Sequence, residues 1–539
     1  MSERFFLTSA LPYANGALHM GHIMEFIQVD IFSRYNKLVN NFCVYVSGDD
    51  CHGTPIMLKS INEKMSINFL LNFYRLLHLK DLYNIRIDFD CFHYTHSYEN
   101  EFFSRRFFNI LKFNDFIFES NVLQLYDDEK KIFLPDRYVK GVCPKCYSSD
   151  QFGDVCEKCS FKYDATDLID PISILSGCKP SKIFSNHYFF NLEKFRFFLE
   201  TWISKLSQKN VVNKLLEWFN SGLLAWNISR DIPYFGFKIP CDYYKFFYVW
   251  LDAPIGYFSS LYNYCLNNNL QFNIFLLPES EYKFVHFIGK DIIYFHTLFW
   301  PAFLNGCFLN IPSDVFVHGF LTMNGKKMSK SSGTLFNVDD FFNFYESDFI
   351  RYYFASKLND SFLDVDFKIE DFVEKINSDL ISKFVNIGSR CINIVCNNFN
   401  CELALDILDK NMFLEFLSFW PIIQDLYSKR LYSKVISFIM KYADFINIYL
   451  DREKPWLLLK DSSTFYRANG VCTTALNLFV ILLFYIKPIL PDLLDRFAYI
   501  LNLNDINFNL IQKPIVNFSI KKYIHVYKKI DICDIVKFS

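Results

Sequence analysis

The sequence predicts an α/β protein, a doubly wound parallel sheet followed by a bundle of helices, and three observations carry that reading. Short apolar runs of strand length, Phe5 to Ala10, Phe42 to Ser47, Phe246 to Leu251, Lys283 to Ile288 and Val315 to His318, are each followed by polar or glycine punctuation. From about Asp115 to Trp226 the strand–helix alternation is lost and four cysteines cluster, so an inserted module splits the sheet. After about Phe367 glycines thin out and apolar residues recur at helical spacing almost to Ser539. The architecture expected is a split Rossmann-like parallel-sheet domain with a cysteine-bearing insertion, then an all-α helical bundle.

Phe5 to Ala10 reads as a buried strand, stopped by the turn Leu11-Pro12-Tyr13-Ala14-Asn15-Gly16. A helix follows through roughly Leu38, with Ile23, Ile27, Ile31 and Leu38 as its apolar stripe. Sheets that open this way bind ligands beyond the carboxyl ends of their strands, where a helix N-terminus offers unpaired N–H groups to anions. His19-Met20-Gly21-His22 sits in that place, its two histidines sharing one helical face and Gly21 letting a ligand approach the backbone. Either histidine alone is more simply a packed or solvated residue; the pair at a strand-to-helix junction points to an anion. The second strand leads into Gly48-Asp49-Asp50-Cys51-His52-Gly53-Thr54, a polar cluster at a strand's carboxyl end. Roughly three hundred residues beyond the histidines comes Lys327-Met328-Ser329-Lys330-Ser331, between Gly325 and Gly333. A lone lysine run is usually a solvated loop. Two lysines about a Met-Ser step can instead swing onto the polyphosphate that the histidines reach, and together the motifs describe a site that activates a nucleotide.

A chain of 539 residues is too long for one core, and at 51% apolar it has enough to fill several. The net charge of -2 excludes a uniformly basic nucleic-acid coat but leaves room for a local phosphate-binding stripe. MSERFFLTSALPY lacks the basic and apolar segments of a secretory signal. The longest apolar stretch, Ala475 to Ile486, falls short of the ~20 residues of a membrane span and reads as a buried core helix. Sixteen cysteines without a signal imply a reducing, cytoplasmic setting and free thiols. Four of them, Cys143-Pro-Lys-Cys146 and Cys156-Glu-Lys-Cys159, form two C-x-x-C pairs nine residues apart, the spacing of two knuckles about one tetrahedral Zn²⁺. Four thiolates leave no position for water, so this metal is expected to be structural. A redox dithiol and scattered core cysteines are the competing readings, and no thioredoxin-like context surrounds either pair.

With the histidine and lysine motifs, the stretches Ala10 to Gly16, Asp49 to Pro55, Trp250 to Tyr257, Gly289-Lys290-Asp291 and Phe295-His296, and the four-cysteine knuckle, the chain resembles the class I aminoacyl-tRNA synthetases, and within them the methionyl-tRNA synthetases. Met20 stands where the usual signature has isoleucine, an apolar exchange that keeps both histidines. The resemblance implies ligation of L-methionine to tRNA(Met) through methionyl-adenylate, with ATP and its Mg²⁺. It implies His19, His22, Lys327 and Lys330 as the catalytic groups, and Asn15, His19, Gly21, His22, Glu25, Gly289, Asp291 and Lys330 as the ATP contacts. For methionine it implies Leu11, Tyr13, Trp250, Ala253, Pro254, Tyr257, Ile292 and His296 as a thioether pocket and Asp50 as the ammonium partner. Asn386, Arg390 and Trp456 correspond to the family's anticodon readers. The expected divisions are residues 1–115 and 227–322 for the catalytic halves, 116–226 for the zinc-bearing insertion, 323–370 for a linking segment with the lysine loop, and 371–539 for the anticodon bundle. With the chain stopping at Ser539, soon after the bundle, the resemblance leads us to expect no C-terminal tRNA-binding and dimerising module of the kind many bacterial relatives carry, hence a monomer, with no membrane or DNA partner. The competing readings are another class I synthetase or nucleotidyltransferase of the superfamily, and a non-catalytic tRNA-binding relative, which would be expected to lose His19, His22 or Lys330.

Overall fold

The computed structural model describes residues 2–159, 161, 163–327, 338, 341 and 345–531. Its centre is a five-stranded sheet built from β1 (Arg4–Ser9), β2 (Phe42–Asp49), β3 (Cys91–Tyr94), β4 (Lys283–Gly289) and β5 (Asp314–His318). The strands lie in the order β5-β4-β1-β2-β3, and every pairing is parallel. Parallel strands are covered on both faces, which is why Phe6, Leu7, Val44, Tyr45 and Val46 are all buried although neighbours along a strand point to opposite sides. From β1 the chain builds outward one way to β2 and β3, then crosses to the other side for β4 and β5. The crevice where that order reverses, at the carboxyl ends of β1 and β4, is where a ligand site is expected.

The first helix, α1 (Met20–Leu38), buries Ile23, Ile27 and Ile31 as its stripe predicts. The Phe246 to Leu251 run is a correction. Only Lys245–Phe247 is extended, paired antiparallel with Ser229–Asp231 outside the central sheet, and Val249–Asp252 is helical. A short apolar run cannot by itself distinguish strand from helix. Here the Val249 N–H is taken by the Tyr234 hydroxyl (3.0 Å) and the Leu251 N–H closes back on Tyr248 O (2.8 Å), so a helical turn wins.

Between the two halves of the sheet, Ile117–Asp127 and Ser181–Phe190 form a long antiparallel pair, in register from Ile117 opposite Phe190 to Tyr126 opposite Ser181. A separate three-stranded sheet, Gln151–Phe152, Val139–Val142 and Ile169–Ser173, surrounds the four cysteines. Up to Phe190 the regular structure of the insertion is thus mainly strand, not the alternating units of the core, and two helices, Arg196–Ile203 and Lys209–Ser221, follow.

Helices dominate from Ile369 to Ile511. The expectation that they continue almost to the end needs correction: residues 512–531 form no helix and run back over the bundle. Pro514 follows the last helical turn, and backbone contacts such as Asn517 N–H to Ala404 O (2.8 Å) hold the tail in an extended form. The helix Phe465–Ile486 is longer than the apolar run suggested, and by length and composition it could cross a membrane. All of its most apolar window is buried inside the protein, so it is the core helix expected.

The bundle is bolted to the sheet by α1. Arg351, on a helix Ser347–Lys357, is fully buried, and its guanidinium donates to Asp30 on α1 (2.6 Å), to Ile489 O (2.7 Å) and to Ile85 O (3.2 Å). A buried ion pair holds a geometry well only when its remaining donors are satisfied, as they are here. The helix that carries His22 therefore cannot shift without disturbing the bundle.

Candidate functional site

A cleft of about 400 Å³ opens at the carboxyl ends of β1, β2, β4 and β5. Its walls include His19, Gly21, His22, Glu25, Gly289 and Asp291 of the expected ATP set, and all nine residues of the expected methionine set. Asn15 stands apart, half-buried in the turn before His19 but not part of the wall. Lys330 lies outside the described residues, and of Lys327 only the backbone is described, in a short strand Lys326–Lys327.

His19 is the N-cap of α1 and not its first face residue, a refinement of the shared-face reading. Its Nδ1 accepts from the Gly21 N–H (3.1 Å) and the His22 N–H (3.3 Å), while His22 Nδ1 accepts from the His19 N–H (3.3 Å). This reciprocal capping box stacks the two rings, 3.6 Å apart and 11° from parallel. It also sets their chemistry. With Nδ1 used as an acceptor, each neutral ring carries its proton on Nε2. Burial, then the neighbouring His19, holds His22 well below its ordinary pKa, so it is a neutral donor. A Cβ at position 21 would come within 3.0 Å of the His19 ring, which explains the glycine. Across the cleft a Cβ on Gly289 would meet Asp291 Oδ1 at 2.7 Å, so this glycine gives the carboxylate its place at the cleft wall.

The other end of the cleft is aromatic and closed. Trp250 stacks on Phe295 at 3.8 Å, and Tyr257 and His296 are buried behind it. His296 Nδ1 faces Ile292 O (3.1 Å) and must donate, leaving Nε2 (2.9 Å) to accept from the Tyr257 hydroxyl. Burial lowers the His296 pKa to about 4, so the ring adds shape and polarisability without charge. It sits in a π-helical turn, Phe295–Phe299, a local widening of the helix often found at functional sites. Asp50 is buried with Oδ1 unpartnered. Burial, then the charge of Asp252, raises its pKa well above the ordinary aspartate value. A buried carboxylate with an open oxygen and an unfavourable field is suited to receive a cation.

His318, at the end of β5, was not singled out in the sequence, yet it lines the cleft and links two of its walls. Its Nε2 is 2.8 Å from Glu25 Oε2, and its Nδ1 donates to Gly319 O (2.8 Å). Burial works against the charged ring, but Glu25 outweighs it and holds His318 above its ordinary pKa. Its one signal in the sequence was position, a histidine closing a strand just before a glycine.

On the insertion, the sulfurs of Cys143, Cys146, Cys156 and Cys159 all lie within 4.8 Å of one another. Cys143 and Cys159 are 3.8 Å apart, Cys146 and Cys156 3.5 Å. Zn–S bonds of about 2.3 Å require tetrahedral sulfur edges of about 3.8 Å, so this donor set can bind a zinc ion. Backbone N–H groups of Lys145, Cys146 and Cys159 point at the first sulfur of each knuckle, at 3.4 to 3.5 Å. In the bundle, Asn386 and Arg390 lie on one helix, Asn386–Asn398. The Arg390 guanidinium sits 4.8 Å from the Trp456 ring and 3.1 Å from Asp451, so the three expected readers share one partly exposed surface.

The model of the family "tRNA synthetases class I (M)" matches residues 5–392. Methionine–tRNA ligase of Buchnera aphidicola subsp. Acyrthosiphon pisum (strain Tuc7) is 43% identical over 532 residues, covering 98% of this chain and 97% of that protein. The chain belongs to the methionine–tRNA ligase family. Another member, from Buchnera aphidicola subsp. Schizaphis graminum, is 43% identical over 546 residues, 100% of this chain and 99% of the relative. The fold agrees with the crystal structure of Mycobacterium tuberculosis methionyl-tRNA synthetase bound by methionyl-adenylate, with a TM-score of 0.80 at 20% identity, covering 98% of this chain and 100% of that one. The apo form of that enzyme matches with a TM-score of 0.72 at 18% identity. The family expected from the histidine pair and the Trp250 to Tyr257 stretch is thus the family found, and this member is a class I aminoacyl-tRNA synthetase.

Proposed function

We infer that the enzyme joins L-methionine to tRNA(Met) in two steps. A methionine carboxylate oxygen attacks the α-phosphorus of ATP, the bond to the β-phosphate oxygen breaks, and methionyl-adenylate and pyrophosphate form. The terminal adenosine 2′-hydroxyl of the tRNA then attacks the methionyl carbonyl and AMP leaves. The observation that carries this reading is one continuous cleft lined at one end by the stacked His19 and His22 rings and at the other by an aromatic pocket with an open buried carboxylate. Such a site works by placing the reactants and stabilising charge, and needs no covalent nucleophile. His19 and His22 would donate to the phosphates, with Lys327 and Lys330 neutralising the departing pyrophosphate and Mg²⁺ arriving on the ATP. Asp291 would hold the ribose hydroxyls, and Asp50 the substrate ammonium. Methionine-dependent ATP–pyrophosphate exchange, run against all twenty amino acids, tests the reading; exchange with another amino acid, or with none, overturns it.

The division of labour follows the expected segments. In this reading residues 1–115 and 227–322 supply the cleft, and the segment 323–370 contributes the lysines. A second cleft, about 480 Å³, lies between the insertion and the core and shares Tyr13 and Trp250 with the first. Arg230 stands in it, 3.8 Å from the Tyr248 ring, and we propose that the tRNA acceptor end enters there. We place the enzyme in the cytoplasm as a monomer, with no membrane or DNA partner. The free state of all described cysteines supports a reducing compartment, and sedimentation at micromolar concentration tests the monomer.

Zn²⁺ held by the four thiolates would be closed to substrate and would stabilise the insertion. The purified enzyme should contain about one zinc per chain, four sulfur ligands making a saturated shell. Cys156→Ser should lose that zinc and lower the unfolding temperature, measured by metal analysis and differential scanning fluorimetry. In residues 371–539, Asn386, Arg390 and Trp456 would read the anticodon, Trp456 by stacking. Trp456→Ala should weaken tRNA charging by about 1–3 kcal/mol, roughly 5- to 150-fold, while pyrophosphate exchange stays at the wild-type rate. Equal loss of both activities would reject the assignment.

A further inference from the structure

The turn between β1 and α1 contributes to both ends of the cleft, and it is fastened at successive points. At its start the Ala10 N–H donates to Glu25 Oε1 (2.6 Å). In its middle the Asp50 N–H donates to Pro12 O (2.8 Å) and the Ala14 N–H to Asp50 O (2.9 Å). Further on, Gly16 O accepts from Nε2 of His78 (2.8 Å), a fully buried residue on the helix Ile67–Asn84. The other ring nitrogen of His78 lies 2.6 Å from Asp49 Oδ1. A carbonyl can only accept, so His78 Nε2 carries a proton whichever partner holds the one shared between Nδ1 and Asp49. Asp49 thereby holds the ring with Nε2 directed at Gly16, and the adjacent Asp50 holds the methionine half of the same turn.

We propose that His78 is a positioning residue for the ATP half of the cleft: through Gly16 it fixes the last part of the turn, Asn15 to His19, and so the placement of the His19–His22 ring pair. Leu11 and Tyr13 are held separately, by the Glu25 and Asp50 contacts, so the effect is one-sided. The inference rests on the reading of the cleft as a methionine and ATP site.

Two amides separate the roles of the two ring nitrogens. Asparagine at position 78 reaches about as far as Nδ1 and can pair with Asp49 but not with Gly16; glutamine reaches about as far as Nε2. In His78→Asn the KM for ATP in pyrophosphate exchange should rise roughly 10- to 100-fold, the scale of a misplaced reacting group, with the methionine Kd from tryptophan fluorescence within about twofold of wild type. His78→Gln should recover most of the ATP affinity. The double variant His78→Leu/Asp49→Leu removes both buried polar partners together and should show the same one-sided loss in a folded protein. An unchanged KM for ATP in His78→Asn, or parallel loss of methionine and ATP affinity in it and in the double variant, overturns the proposal. Absence of methionine-dependent exchange in the wild-type enzyme would instead overturn the reading of the cleft.

Discussion

Asp50→Asn is expected to weaken methionine binding by roughly two to three orders of magnitude while leaving the protein as stable as wild type, or more so. Removing one partner of a buried, hydrogen-bonded charge pair costs about 2–5 kcal/mol, because the other charge is left desolvated and unpaired. In the complex that other charge is the methionine ammonium. In the free enzyme the sign reverses: Asp50 is raised in pKa by burial, then by Asp252, and has an oxygen without a partner, so a neutral isostere relieves an unfavourable state. A simple folding defect would lower affinity and melting temperature together; a substrate contact lowers affinity alone. The same shift predicts a pH dependence. Methionine binds the ionised carboxylate, so binding must displace the proton that the raised pKa retains. Wild-type affinity should fall as the pH drops through a range well above that of an ordinary aspartate, and Asp50→Asn should show no such fall. Equilibrium dialysis of labelled methionine across that range, with calorimetric melting, measures both. Near-normal methionine affinity in the variant would exclude Asp50 as the ammonium partner.

Local order explains what was legible in the sequence. The strand from Phe5, the turn at Pro12 and Gly16, and the stripe Ile23, Ile27, Ile31 are consecutive residues whose spacing states their own structure, and β1 and α1 fall within a residue or two of where they were expected. The cysteine knuckles were legible for the same reason, each being a four-residue unit. What the sequence did not reveal depends on contacts between distant segments. His318 meets Glu25 from 293 residues away in the chain and His78 meets Gly16 from 62, so neither could be told from an ordinary packed histidine by its neighbours in the chain. Val249–Asp252 misled because its helical turn is decided by the Tyr234 hydroxyl, a partner far outside any local pattern. Even the histidine pair was only half read: spacing brought the rings together, but the capping box that orients their protons belongs to the backbone.

That orientation carries the last prediction. His22→Ala should lower kcat/KM for adenylate formation by about 10²–10³-fold, the usual loss when one preorganised donor to a developing anion is removed. The stronger test is which amide replaces it better. His22 Nδ1 accepts from the His19 N–H and closes the cap, so Nε2 is the atom left to face a phosphate. Asparagine places its oxygen near the Nδ1 position and can keep the cap, but it has no group at the Nε2 position. Glutamine gives up much of the cap and extends an N–H to about where Nε2 stood. If phosphate contact is the function of His22, His22→Gln should retain more pyrophosphate exchange than His22→Asn, even though losing the cap makes it less stable by about 0.5–2 kcal/mol. If the histidine serves only to start α1, the order inverts and activity follows melting temperature. Exchange kinetics and thermal unfolding on the same three variants decide between an imidazole that binds the nucleotide and one that merely begins a helix.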